Sequence, residues 1–158
     1  MNADKAHFLQ HQFVKLLRDL PSDTKPAWGK MTLQQMVEHF TDTMRVASGR
    51  QVHTTIVTPE EHLPKMQDFI RSDKPFRENT KNPLLPEIPA PVRNATLRKA
   101  LDELQDELDY FFEVFRANEQ LTTINPIFGH LNYELNVLLL YKHAVHHLRQ
   151  FGVAVTAS

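Results

Sequence analysis

His143 and His147 stand four residues apart in Lys142-His143-Ala144-Val145-His146-His147-Leu148-Arg149-Gln150-Phe151-Gly152. On a helix that spacing stacks two imidazoles on one face, where a single divalent ion reaches both. A third histidine, His39, lies in a separate helical segment and completes a three-histidine set if the two segments pack together. Three neutral imidazoles leave a divalent ion its full charge and at least one open position, which is the layout of a catalytic metal. Water at that position would become acidic enough for hydrolysis, whereas a thiolate there would favour transfer to an electrophile. Imidazole ligands suit zinc, nickel, iron or copper.

The chain has nine histidines, so a chance pair at this spacing is common and the surroundings must decide. His7 and His11 form a second such pair. At about 100° per residue they lie off the Leu9, Phe13 and Leu16 stripe and should face solvent. In contrast, Asn136, His143, His147 and Gln150 share one narrow polar stripe. Leu139 flanks it on one side, with Leu140, Ala144 and Phe151 on the other. Buried imidazoles need hydrogen bonds, a carboxylate or a metal. A pair hydrogen-bonded to neighbouring helices is the alternative to a metal site. Asn136 and Gln150 are candidates to orient the imidazoles. Lys142, His146 and Arg149 occupy a sector expected to face water, and Leu135 and Leu138 lie near a sector expected to be exposed, a hint of a partner helix. Glu38 projects about 100° from His39, toward the expected solvent side, and Glu134 is off the stripe, so spacing places no general base. Trp28 reads as a packing anchor; Tyr133 and Tyr141 read as core.

Four helices are expected to position these residues. The first spans about Asp4 to Leu20 and is stopped by Pro21. Thr32 and Gln35 form a capping-box pattern at the start of the second, which ends near Gly49. The third spans about Ala95 to Ala117 behind Asn94 as a possible cap. Its stripe is Leu97, Leu101, Leu104, Leu108, Phe111, Phe112 and Phe115. The fourth spans about Tyr133 to Phe151, capped by Asn132 and ended by Gly152. Between the second and third, about Arg50 to Arg93, lie seven of the ten prolines. Thr58-Pro59-Glu60-Glu61 looks like a short helix start, and the rest should be extended loop that covers a pocket or simply crosses over. No alternation argues for a sheet. The expected architecture is all-α, a four-helix bundle with a long proline-rich crossover, with residues 1–158 as one domain.

Net charge is −1, which gives no hint of nucleic acid or an anionic membrane, and no apolar run is long enough to span a bilayer. The start of the chain lacks the apolar core of a secretion signal, so a cytoplasmic location is the default expectation. With no cysteine, any thiol nucleophile must come from outside.

At the histidine run a family likeness emerges. His143-Ala144-Val145-His146-His147 followed by Arg149-Gln150 resembles the His-x-x-His-His-Arg-Gly-Gln signature of the DinB/YfiT-like superfamily, with Leu148 inserted before Arg149. The form His-His-Leu-Arg-Gln-Phe-Gly resembles an uncharacterised branch, as does Trp28-Gly29-Lys30-Met31-Thr32 leading to Gln35-Met36-Val37-Glu38-His39. The resemblance implies a four-helix bundle, often a homodimer. It also implies one divalent ion, zinc or nickel first and iron or manganese next, on His39, His143 and His147. It further implies a small-molecule substrate, since several members are transferases or isomerases that use a low-molecular-weight thiol. Others are classed as metal-dependent hydrolases, and a sensor or scavenger without catalysis stays open.

Overall fold

The computed structural model describes residues 2–78 and 88–155, so Pro83 and Pro86 of the long connection fall outside the described residues. Among these residues the chain is mainly helical, with one two-stranded sheet. None of their helices is long and apolar enough to cross a membrane.

The first expected helix is in fact two, α1 (Asn2–His11) and α2 (Phe13–Arg18). The break falls at Gln12, whose φ of −122° is far from helical. Nearby, the Gln105 side chain donates to the Gln10 carbonyl at 3.0 Å. A side chain inserted into the helical ladder is a recognised cause of such a break. α3 (Leu33–Ala47) begins with the expected capping box, Thr32 accepting from the Gln35 amide and Gln35 accepting from the Thr32 amide. α5 (Leu97–Ala117) is capped by Thr96 and not by Asn94. Asn94 instead donates its side-chain amide to Glu38. α6 (Tyr133–Gln150) starts at Asn132, as expected. It ends with Gly152 at φ +84°, Gly152 N–H donating to Arg149 O and Val153 N–H to Leu148 O. That pair of bonds satisfies the last carbonyls and needs the left-handed glycine.

The long connection holds more structure than expected. A 3-10 turn at Glu60–His62 follows Pro59 and leads into α4 (Leu63–Arg71), a helix the sequence reading largely left as loop. A hairpin was also missed: β1 (Thr123–Asn125) pairs antiparallel with β2 (Gly129–Leu131), with Ile124 opposite His130. Asn125 closes its turn by accepting from the Ile127 and Phe128 amides. The hairpin ties four elements together. Thr123 donates to Ala47 O at the end of α3, Asn136 of α6 donates to Thr123 and to Leu131 O, and Gln67 of α4 donates to Phe128 O.

Two apolar cores result, and α6 belongs to both. The larger joins Leu9, Phe13, Phe40, Leu104, Phe111 and their neighbours to Val137, Leu140, Ala144, Leu148 and Phe151. The smaller packs Ile70 of α4, Phe128 and Leu131 against Leu135, Leu138 and Leu139. Leu135 and Leu138 are therefore only 7% and 9% exposed, contrary to expectation. The helix that covers them is α4 of the same chain. α3 is fastened to α5 by Arg45 on Glu103 and Glu107, with Arg50 closing on Glu107 and lying 3.7 Å from the Tyr110 ring.

Glu38 is the other correction. It is 4% exposed and not solvent-facing. Its carboxylate accepts from the backbone amides of Arg93 and Asn94 and from the Gln34 and Asn94 side chains. Burial alone would raise its pKa, but these donors outweigh it and hold the carboxyl below its ordinary value. Glu38 thus pins the end of the connection onto α3. Glu38→Ala is expected to destabilise the fold by about 2–3 kcal/mol, because two backbone donors lose a buried acceptor. A urea midpoint equal to that of the unsubstituted chain would contradict this.

Candidate metal centre

α3 and α6 present their histidines to one another. The ring centroids of His39 lie 5.3 Å from His143 and 5.5 Å from His147, and His143 and His147 are 4.5 Å apart. One ring nitrogen from each of the three lies within 4.8 Å of the other two, close enough to hold a metal ion. The i, i+4 stacking on α6 gives the pair, and the approach of α3 supplies the third. A tetrahedral ion about 2.1 Å from each nitrogen needs nitrogens about 3.4 Å apart. The Nε2 atoms of His143 and His147 are 2.8 Å apart, so a small adjustment suffices.

A chain of hydrogen bonds sets the tautomer of His147. Gln150 donates its Nε2 to the Trp28 carbonyl at 3.0 Å, which leaves its Oε1 as acceptor. That oxygen lies 2.8 Å from His147 Nδ1, so Nδ1 carries the hydrogen and the Nε2 lone pair accepts from His143 Nε2–H, a place a metal ion would take instead. The Gln150 carbonyl also accepts from Ala27 N–H at 2.7 Å, which fastens the turn before α3 to the end of α6. Gly29 in that turn has φ +79°, and a Cβ there would stand 3.0 Å from Gln150 Nε2. Glycine is required on both counts, a role that sequence reading did not assign.

Burial holds all three imidazoles neutral. It lowers the pKa of His39 and drives that of His143 well below its ordinary value, His147, His39 and His146 adding repulsion. His147 is pushed down to about 3, by burial first and His39 next, against the opposing hydrogen bond to Gln150. Neutral nitrogen is the state that binds a metal, so the donor set fits a divalent ion. No carboxylate is among the grouped ligands, and Glu38 is engaged elsewhere.

The remaining expectations divide. Gln150 orients His147 as expected, whereas Asn136 serves the hairpin and not the centre. His7 and His11 are exposed and stack on each other at 4.8 Å, away from the trio. Tyr133 packs on Phe111 and Phe115, and Tyr141 on Phe8. Glu134 and Arg149 are exposed. His146 is not turned fully outward. It is half-buried against Trp28 at 5.4 Å and Phe76 at 5.8 Å, because the chain after α4 folds back over it. Phe40, adjacent to His39, lies 4.9 Å from the His143 ring and walls the centre from the core.

No family model, curated protein or solved structure matches this chain.

Two measurements check the site. Gln150→Leu is expected to weaken metal binding by about 10–100-fold, the usual effect of losing a partner that orients a ligand. Competition with a chromogenic chelator reads this directly. Without metal, the buried histidines also make stability pH-dependent. Between the folded value of about 3 for His147 and the ordinary 6.5, the unfolded chain binds more protons than the folded one. Stability therefore falls as pH drops through that window. Chelator-treated protein is expected to melt at lower temperature as pH is lowered below the ordinary imidazole value, and a flat profile there would refute neutral, buried imidazoles.

Proposed function

We propose that the chain is a divalent-metal-dependent enzyme acting on a small molecule, with His39, His143 and His147 as the metal ligands. The observation that carries this reading is the convergence of three neutral imidazoles with no carboxylate among them. A bound ion there would supply Lewis acidity toward a substrate or cosubstrate. The chain's own residues hold and orient the ligands. Gln150 fixes the His147 ring, the Trp28 carbonyl fixes Gln150, and Phe40 excludes water from the core side.

Transfer from a low-molecular-weight thiol to an electrophile is the reaction this site supports best. Hydrolysis wants a general base within reach of the attacking water. The nearest carboxylate in sequence, Glu38, is saturated by Arg93, Asn94 and Gln34, and Asp42, whose charge reaches His39, is paired with Arg45 and Arg93. A thiol is far more acidic than water and would release its proton to solvent, so that route would ask less of a protein base, and with no cysteine in the chain the thiol must arrive as cosubstrate. Zinc or nickel suits an all-imidazole set, with iron or manganese next. The motif resemblance supports membership of the DinB/YfiT-like superfamily, and with it a four-helix bundle with the long crossover, homodimerisation and a cytoplasmic place.

Metal analysis of the purified protein is the first test. One divalent ion per chain is expected, lost in His143→Ala and retained in His7→Ala; equal metal in the two variants would sink the assignment. Metal-loaded protein is then expected to consume an electrophile in the presence of glutathione, bacillithiol or mycothiol. Turnover of esters or amides without thiol would instead select hydrolysis.

A further inference from the structure

The segment that follows α4 lies over the histidine centre, and its attachments are few and specific. α4 itself is firmly docked through buried Ile70 and through Gln67, which donates to Phe128 O and His130 O. At Ser72 the helix ends, and residues 73–77 have no regular structure. Lys142 reaches this segment from α6. Its ammonium donates to the carbonyls of Ser72, at 3.0 Å, and Lys74, and sits 4.4 Å from the Phe69 ring centroid. The end of α4 suits a cation, because its last carbonyls are unsatisfied and the helix dipole is negative there. Two residues on, the Phe76 ring lies edge-on to His143 at 6.0 Å and to His146 at 5.8 Å. Lys142 and His143 are consecutive, so the anchor of this segment and a ligand of the centre ride on the same turn of α6.

We propose that residues 72–76 are a cover over the metal centre, latched by Lys142 and closed by Phe76, that swings aside to admit a small molecule with a flat apolar portion. The inference rests on the reading of the three histidines as a metal site. The firm docking of α4 puts the hinge at Ser72. What the cover hides is aromatic on several sides: Phe40 against His143, Phe76 against His143 and His146, and Trp28 against His146. Rings so placed favour a planar apolar group over a strongly hydrated one.

Lys142→Met tests the latch in the full-length chain, since it keeps an aliphatic stem over Phe69 and removes every N–H donor. Two rates are read: extraction of zinc from zinc-loaded protein by excess EDTA, and trypsin cleavage of the Arg77–Glu78 bond in zinc-free protein. Zinc content is expected to stay at one per chain while both rates rise about tenfold, the factor that about 1.4 kcal/mol of lost latching produces. Phe76→Ala, which leaves the latch in place, is expected to speed extraction and leave cleavage nearly unchanged. Equal extraction rates at equal zinc content, in both variants, would overturn the cover and leave the metal site standing. Wild-type protein that takes up no zinc, nickel, iron or manganese would overturn the metal site, and the cover's role with it.

Discussion

Three imidazoles packed ring against ring cannot all be charged, and the arrangement around them follows from that constraint. Two unit charges about 4 Å apart repel by about 4 kcal/mol even at an effective dielectric of 20. Burial adds its own penalty, and both act in the same direction on His143 and His147, whereas at His39 burial outweighs the opposing attraction of Asp42. The rings are therefore neutral donors whose remaining freedom is where each hydrogen sits. For His147 that choice is made by Gln150, for Gln150 by the Trp28 carbonyl, and the close approach is permitted by Gly29. Residues some 120 positions apart in the chain (122 between Trp28 and Gln150) thus settle the position of one hydrogen atom.

α6 can carry such a polar stripe because it is buried on two sides. Val137, Leu140, Ala144 and Leu148 enter the larger core, and Leu135, Leu138 and Leu139 enter the smaller one under α4 and the hairpin. A helix held from both sides has little freedom to rotate and expose its histidines. The hairpin and α4 act as a second layer of support: they lock the start of α6 through Asn136 and its middle through Lys142. α3 is held with similar redundancy. Arg45 joins it to α5, and Glu38 gathers the backbone of Arg93 and Asn94 one residue from His39.

The errors in reading the sequence have physical origins. Glu38 was assigned to solvent because its angular position on α3 is off the apolar stripe. What buries it is the return of the chain at Arg93, whose free amides seek a carboxylate. Leu135 and Leu138 looked like a surface for another molecule because α4 is short and lies among prolines, where its helical period is hard to see. Asn136 shares a stripe with the histidines, yet it sits two turns away, next to Thr123, and its amide goes to the nearest acceptors. The hairpin strands are three residues each, too short for alternation to register.

Local order in this chain was written into its residue pattern. The limits of α3 and α6, the end of α5, the capping box at Thr32, the glycine end at Gly152 and the stacked pair His143 and His147 all arise from interactions between residues a few positions apart, which spacing reveals. The meeting of His39 with that pair could be anticipated only as one option among several, because it depends on how α3 and α6 pack. The roles of Gln150, Gly29, Lys142 and Phe76 around the centre, and the burial of Glu38, were matters for the folded molecule alone. Each depends on which distant segment comes to lie beside it, and a one-dimensional period carries no information about that neighbour.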